Sequence, residues 1–179
     1  KKRLITTRST QSHKTKPANH SQSNQKSMNL GQIVGEICKR VFPISEEKFF
    51  GEGSEIAICT LSSIDLLKEI VDSDIMKKVV IVGRLFSENK GIDELVSYIS
   101  RNPEIHTIVV CGKEVTGHKT GHALLCLHKF GVDDSNRIIN STSPDPVLGV
   151  SEQAINDFRR IKLIDMIGQT ELEKIISII

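Results

Sequence analysis

The sequence predicts an α/β fold in which helices cover both faces of a mostly parallel, doubly wound sheet of about five strands. Short apolar runs rich in β-branched residues alternate along the chain with segments of helical periodicity. Polar or glycine-bearing turns follow the apolar runs, as at the carboxyl edge of a parallel sheet. With 179 residues, the chain is long enough for one domain of this kind.

The first 28 residues differ in composition from the rest of the chain. They contain seven of the 24 lysines and arginines and no acidic residue, which leaves 17 basic against 22 acidic residues in the remainder. Because Ser, Thr, Gln and Asn make up much of this segment, residues 1–28 are predicted to be a disordered basic tail. Residues 29–41 are predicted to form an amphipathic helix, and residues 42–179 form the predicted α/β domain.

The predicted elements of the domain alternate between strand and helix. The first is a β-hairpin arm over residues 44–50, turning at residues 51–53. The predicted strands cover residues 56–61, 78–82, 105–111, 137–140 and 161–166. The predicted helices cover residues 63–71, 92–101, 120–130, 151–160 and 171–179, with Gly131 ending the third and Ser151 capping the fourth. This alternation predicts a three-layer, Rossmann-like arrangement.

The composition excludes several classes of protein. Aromatic residues make up 4% of the chain and the body is mildly acidic, so no nucleic-acid partner is expected. No apolar run reaches the roughly 20 residues that span a bilayer, and no secretory signal is present, so no transmembrane segment is expected in this chain. The cysteines form no CxxC pair and give no sign of an oxidising compartment, which favours a cytoplasmic location. They are Cys38, Cys59, Cys111 and Cys126.

The carboxyl ends of the predicted strands locate the candidate site, because open parallel sheets bind their ligands there. The turns in question are residues 60–63, 83–91, 112–121 and 140–146. They contain neither the GxGxxG nor the GxxxxGK[ST] pattern, so the motifs do not support nucleotide binding.

His118 is the candidate with the most specific chemistry. It lies in the glycine-bearing turn between the third strand and the third helix, and a neutral imidazole is a good axial ligand for a metal or a metallo-macrocycle. The alternative is a capping or solvent-exposed histidine at a helix start. Glu88 and Asn89 precede Gly91, and they either cap the next helix or contact a ligand.

The same region allows a small zinc site. His118, His122 and Cys126 recur at i, i+4 and i+8, and they would share a face if one helix carried all three. The alternative is that His122 and Cys126 pack on the sheet.

Several separated motifs between Phe42 and Gly168 resemble, in order, those of a known family. They are Phe42-Pro43, Phe49-Phe50-Gly51, Ile56-Ala57, Thr60-Leu61-x-Ser63, Gly83-x-x-x-Ser87-Glu88-Asn89-x-Gly91-Ile92-Asp93, Asn102-Pro103-x-Ile105, Cys111-Gly112-x-Glu114-Val115-x-Gly117-His118-x-Thr120-Gly121, Leu127-His128-x-x-Gly131-Val132-Asp133, Arg137-Ile138-Ile139 and Ile164-Asp165-x-Ile167. The family is the A subunit of tetrahydromethanopterin S-methyltransferase, the corrinoid-carrying component of the methanogen sodium-translocating complex.

The resemblance implies a Rossmann-like domain that binds a corrinoid, cobalamin, over the carboxyl edge of the sheet. It implies that His118 is the lower axial ligand of the cobalt. The chain would then be a methyl carrier that works with other methyltransferase subunits, taking a methyl group from methyl-tetrahydromethanopterin and passing it through cobalt to coenzyme M. The predicted cofactor contacts are Thr60, Gly83, Glu88, Asn89, Gly91, Gly112, Gly117, Thr120 and Gly121.

The chain also departs from the family. Family members are anchored by a C-terminal transmembrane helix, whereas this chain ends at Ile179, so a truncated chain or a soluble homologue is expected, in the cytoplasm or peripheral to a membrane complex. Residues 140–146 replace a Gly-Ala-Ile-Pro-like loop that borders the ligand. The alternative function is a non-catalytic Rossmann-like binding or regulatory module, or the small zinc site at His118, His122 and Cys126.

Overall fold

The computed structural model describes residues 48–179. The predicted basic tail, the predicted helix over residues 29–41 and residues 44–47 of the predicted hairpin arm lie outside this range. The described strands are β1 Lys48–Phe50, β2 Ile56–Cys59, β3 Val79–Gly83, β4 Thr107–Gly112 and β5 Lys162–Ile167. The helices are α1 Ile64–Val71, α2 Lys90–Arg101, α3 Thr120–Phe130, α4 Glu152–Arg160 and α5 Leu172–Ile176, with a 3₁₀ helix at Asp74–Lys77.

Within residues 48–179 the strands form one sheet in the order β1-β3-β2-β4-β5. The last four strands of this order are parallel, and β1 is antiparallel to β3. The predicted mostly parallel α/β sheet is therefore confirmed. The chain adds β3 on one side of β2 and β4 on the other, so the carboxyl ends of β2 and β4 flank the position where open parallel sheets bind ligands.

Apolar side chains on the two faces of the sheet build two cores. On one face, β2 and β4 pack against α2, α3 and α4, around the fully buried Phe158. On the other face, β3 and β4 pack against α1, the 3₁₀ helix and α5, with Leu67 and Ile175 fully buried. Strands that are covered on both faces have continuous apolar sequences, which is why the short apolar runs in the sequence predicted the strands of this sheet.

The predicted strand at residues 137–140 is wrong. The segment makes only isolated bridges, from Ile138 to Val132 and from Arg137 to Val147. Asn140 has a φ of 62°, which breaks an extended backbone, and only Ile138 of this run is buried. The sheet still has five strands in the described range, because β1 joins it and the predicted fourth strand does not.

The predicted hairpin is also wrong, because β1 pairs with β3 rather than with the strand that follows it. The turn after β1 runs close against the start of β3. The amides of Gly51 and Gly53 donate to the carbonyls of Val80 and Val79, both at 3.0 Å. A β-carbon at Gly51 would lie 2.2 Å from the carbonyl oxygen of Val79, so glycine is required for this approach.

None of the helices between residues 48 and 179 combines the length and the apolar character that crossing a bilayer requires.

Candidate functional site

A buried carboxylate supports the imidazole of His118. Glu88 follows β3 and His118 follows β4, so the two side chains meet at the carboxyl edge of the sheet, where His118 Nδ1 lies 2.7 Å from Glu88 Oε2. The Glu88 side chain is 3% exposed and that of His118 is 21% exposed. An ionised carboxylate only accepts hydrogen bonds, so in the neutral imidazole Nδ1 carries the proton and Nε2 keeps its lone pair. Nε2 has no hydrogen-bond partner among the described residues.

Several donors hold Glu88 in its ionised form. Burial by itself raises the pKa of this carboxyl group. Four effects outweigh burial and hold the pKa of Glu88 below its ordinary value of 4.5. They are a hydrogen bond from the His118 ring, hydrogen bonds from the backbone amides of Glu88 and Asp145, and the charge that His118 carries when it is protonated. The Asp145 amide donates to Oε1 at 3.0 Å, so each carboxylate oxygen has a partner of its own.

Replacing Glu88 by glutamine is expected to reduce stability at neutral pH. Because the folded-state pKa lies below 4.5, the carboxylate stabilises the fold fully above that value, and the contribution is lost as the pH falls through the folded-state pKa. Urea unfolding of the two proteins should give free energies that differ near pH 7 and approach each other as the pH falls below 4.5.

Glu69→Gln is the matched control, because Glu69 is an exposed carboxylate on α1. Its free energy of unfolding near pH 7 should stay within about 0.5 kcal/mol of the wild type, as for other exposed substitutions. A difference between wild type and Glu88→Gln that does not narrow as the pH falls below 4.5 would contradict the lowered pKa of Glu88.

A second carboxylate caps the helix that follows His118. Glu114 Oε1 accepts hydrogen bonds from the amides of Val115 at 2.8 Å and Gly121 at 2.9 Å, and Oε2 accepts one from the His122 amide at 2.8 Å. The last two amides belong to the first turn of α3, where the helix itself offers no acceptor. A negative charge is also favourable at this end of a helix. The cap fixes the chain on both sides of His118.

The residues next to His118 have left-handed backbone conformations. Gly117 has a φ of 83° and Lys119 a φ of 49°. Gly117 is exposed, and a β-carbon there would meet no atom within 4 Å in the part of the chain that is described. The turn therefore carries the imidazole beside open space on its Gly117 side.

The predicted loop over residues 140–146 reaches the same turn, although no strand precedes it. Its Asp145 amide bonds to Glu88, and its Ser143 hydroxyl donates to the Lys119 carbonyl at 3.1 Å. Lys119 Nζ also donates to Thr142 Oγ1 at 3.3 Å. The loop thus contacts Glu88 itself and Lys119, the residue that follows His118.

Two predicted contact residues, Thr60 and Thr120, are fully buried. Thr120 Oγ1 donates to the Phe86 carbonyl at 3.0 Å, which joins the start of α3 to the chain before Glu88. Thr60 Oγ1 lies 3.4 Å from the Gly83 carbonyl, which joins the ends of β2 and β3. Both hydroxyls therefore hold the segments of the site together.

Two predicted glycines are packed against neighbours. A β-carbon on Gly112 would lie 2.2 Å from the Thr60 carbonyl oxygen. One on Gly121 would lie 2.8 Å from Ile167 Cδ1 and 2.9 Å from Glu114 Oε2. Gly112 thus lets the ends of β2 and β4 approach, and Gly121 gives the capping carboxylate access to α3.

The remaining predicted contacts lie at the start of α2. Asn89 caps this helix, since its Oδ1 accepts from the Lys90 amide at 2.7 Å. The Gly91 amide donates to Ser87 Oγ at 2.7 Å. Gly83 and Gly91 also line a cavity of about 590 Å³ beside α2, which neither His118 nor Glu88 lines. Its walls include Ala57, Cys59, Ile81, Leu95, Ile108 and Val150.

The predicted zinc cluster does not form. Helix α3 begins at Thr120, so His118 lies in the preceding turn and does not share a helical face with His122 and Cys126. Cys126 Sγ lies 3.7 Å from His122 Nε2, but between residues 48 and 179 no three His, Cys, Asp or Glu side chains form a group that could hold a metal ion. Burial raises the pKa of the Cys126 thiol, although Lys129 opposes the shift, so the metal-binding thiolate is disfavoured.

Cys59 and Cys111 are buried free thiols. Burial raises the pKa of Cys59 to about 12 and also raises that of Cys111.

Sequence reasoning missed three residues of the site. Glu114 stood in the central motif, but its capping partners lie seven and eight residues later, beyond the usual capping spacing. Ser143 and Asp145 stood in the loop over residues 140–146, which was predicted to lie at the site, but their bonds to Lys119 and Glu88 could not be read from the sequence. A buried serine cannot be recognised from local pattern, since serine is mostly exposed.

The fold and the site together define a class of protein. This is a doubly wound α/β domain that presents an imidazole at the carboxyl edge of its sheet, with a buried carboxylate on the other ring nitrogen. Histidines that ligate metals have this arrangement, in which the second ring nitrogen donates to a carboxylate or carbonyl.

The sequence model of the MtrA family, described as the A subunit of tetrahydromethanopterin S-methyltransferase, matches residues 42–179 of this chain. The chain belongs to this family.

Three relatives illustrate the similarity. The A 2 subunit of tetrahydromethanopterin S-methyltransferase from Methanothermobacter thermautotrophicus is 37% identical over 69% of this chain and 67% of its own length. The A subunit of the putative methyltransferase Mtx of Methanosarcina barkeri is 35% identical over 70% of this chain and 61% of its own length. The A subunit of tetrahydromethanopterin S-methyltransferase from Methanohalophilus mahii is 43% identical over 54% of this chain and 41% of its own length. The matched region thus spans between 41% and 67% of these relatives.

Proposed function

We propose that this chain is a corrinoid-binding methyl carrier of a methyltransferase complex, with His118 as the lower axial ligand of the cobalt. The observation that carries the proposal is the pairing of His118 Nδ1 with the buried Glu88, which leaves Nε2 as the donor atom towards a ligand. Membership of the MtrA family supports a role in methyl transfer.

The residues around His118 fit a flat, metal-centred ring. The imidazole is partly exposed, and the adjoining Gly117 side is open to a distance of 4 Å. A corrinoid bound there supplies a cobalt atom that can accept and release a methyl group. Glu88 fixes the ring orientation and the tautomer, and its negative charge makes Nε2 a better electron donor.

The other predicted cofactor contacts have different roles in this proposal. Gly117 offers the open surface beside the imidazole, and Asn89, at the start of α2, is half-buried at the same edge. Four others contribute indirectly, because they keep the ends of β2, β3 and β4 and the start of α3 together; they are Thr60, Gly112, Thr120 and Gly121. Gly83 and Gly91 border the cavity beside α2.

The complete reaction needs further subunits in this proposal. The chain would accept a methyl group from methyl-tetrahydromethanopterin and deliver it to coenzyme M while docked to partner subunits in the cytoplasm or at a membrane complex. The relatives are themselves named as subunits, which supports a multi-subunit assembly.

Corrinoid binding is tested with aquocobinamide and aquocobalamin added to the purified full chain in the dark. Cobinamide lacks an intramolecular base, so a nitrogen ligand on its cobalt must come from the protein. We expect a shift of the visible bands and retention of about one corrinoid per chain in equilibrium dialysis. Loss of both corrinoids on dialysis would contradict the carrier function and favour the non-catalytic binding module.

A further inference from the structure

We propose that the loop over residues 140–146 is a clamp that fixes the direction of the His118 ring, with Ser143 and Asp145 as positioning residues. The clamp itself is a property of the corrinoid-free chain. Its effect on ligand binding rests on the proposed function.

Ser143 provides the first contact of the clamp. It is 7% exposed and is one of four buried polar side chains between residues 48 and 179, the others being Thr60, Glu88 and Thr120. Its hydroxyl donates to the Lys119 carbonyl at 3.1 Å, and its amide donates to Ser141 Oγ at 3.3 Å. A serine that is buried and bonded in both ways holds the loop against the residue that follows His118.

Lys119 needs this contact because its backbone is left-handed, with a φ of 49°. A residue with a β-carbon keeps this conformation only where its surroundings hold it there. Its carbonyl accepts from the Ala123 amide at 2.9 Å and from Ser143, which together fix the peptide between Lys119 and Thr120. The contact therefore restrains Lys119, the residue directly after the one from which the imidazole projects.

Asp145 provides the second contact, on the other member of the pair. Its amide occupies Glu88 Oε1 at 3.0 Å, which leaves Oε2 for His118 Nδ1 at 2.7 Å. The Asp145 side chain is held in turn by Asn89 Nδ2 at 3.4 Å and by Arg137 at 3.9 Å. One loop thus fixes both the backbone beside His118 and the carboxylate behind it.

A metal-binding imidazole held from both sides needs little reorganisation when the ligand arrives. Ser143→Ala removes one half of the clamp, so the ring should sample other orientations and both neutral tautomers. In the wild type, the bond to Glu88 should hold one tautomer with the proton on Nδ1.

The test is nitrogen NMR of the full chain labelled with ¹⁵N-histidine, without corrinoid and at pH 8. We expect widely separated signals for the two His118 ring nitrogens in the wild type, and signals that move towards each other in Ser143→Ala. Ser143→Thr keeps the hydroxyl and should restore the wild-type separation. Ser73→Ala is the matched control, because Ser73 also donates to a backbone carbonyl, that of Ile70 at 2.8 Å, outside the site.

Lys119→Gly keeps the experiment decisive if Ser143→Ala does not fold. Glycine relieves the left-handed strain at position 119. The double variant that combines Lys119→Gly with Ser143→Ala should therefore fold and still show the reduced separation of the His118 signals. Unchanged His118 signals in a folded Ser143→Ala chain, or in the double variant when compared with Lys119→Gly, would overturn the clamp.

Cobinamide titration separates the clamp from the proposed function. With one hydrogen bond lost, Ser143→Ala should bind cobinamide roughly fivefold more weakly than the wild type. A wild type that binds no corrinoid would refute the carrier function, while the NMR comparison would still decide the clamp. Equal affinities together with shifted NMR signals would overturn the clamp's role in ligand binding.

Discussion

Replacing His118 by alanine is expected to abolish the band shift of cobinamide and to weaken its binding by more than roughly 100-fold. Loss of a group that only supports a ligand typically costs 10- to 100-fold in metal affinity, and loss of the donor atom itself should cost more. Among the histidines of residues 48–179, His118 is also the one whose imidazole is held by a buried carboxylate at the carboxyl edge of the sheet. Visible titration and equilibrium dialysis of the variant and the wild type provide the measurement.

His122→Ala is the matched control for this variant. His122 is a half-buried histidine only four residues further along, with its ring next to Cys126 rather than next to an acid. Its replacement should leave the cobinamide spectrum unchanged. A variant without His118 that still shifts the cobinamide bands, or a loss of the shift in His122→Ala, would show that the axial ligand has been assigned to the wrong residue.

Replacing Glu114 by alanine is expected to destabilise the fold by about 2 to 4 kcal/mol, the largest effect on stability that we predict. The carboxylate accepts hydrogen bonds from the amides of Val115, Gly121 and His122, and the variant would leave these donors without their acceptor. Urea and thermal unfolding monitored by circular dichroism measure the loss.

Glu114→Gln separates the charge from the hydrogen bonds. The amide keeps one acceptor oxygen but loses the second acceptor and the charge, so we expect an intermediate loss of stability. Glu69→Ala controls for removal of an exposed acidic side chain and should change stability by less than about 0.5 kcal/mol. If Glu114→Ala were as stable as this control, the helix cap would contribute nothing.

Helix positions could be predicted well from the sequence. Helix α3 covers Thr120–Phe130, the same residues as predicted, and Ser151 caps α4 by accepting from the Ala154 amide at 3.2 Å. Periodicity, a capping serine and a glycine after the last turn are local signals, because the hydrogen bonds of a helix join residues close in sequence.

Strand partners could not be predicted in the same way. Residues 137–140 had the β-branched composition of a strand but form only isolated bridges, and β1 was a strand with an unexpected partner. A β-bond joins residues far apart in sequence, so composition shows that a segment can be extended without showing what it pairs with. Glycine at position 51 permits the close approach to Val79 that accompanies the pairing of β1 with β3.

The amino-acid sequence by itself determined the α/β class, the position of His118 in a turn between a strand and a helix, and the resemblance that the family match confirms. The tertiary structure alone decided what stands behind that histidine. Glu88 is 30 residues away in the chain, Asp145 is 57 residues from Glu88, and Ser143 is 24 residues from Lys119. These groups meet because the strand order brings separate loops to one edge, and burial makes their hydrogen bonds obligatory, neither of which is encoded in the residues next to His118.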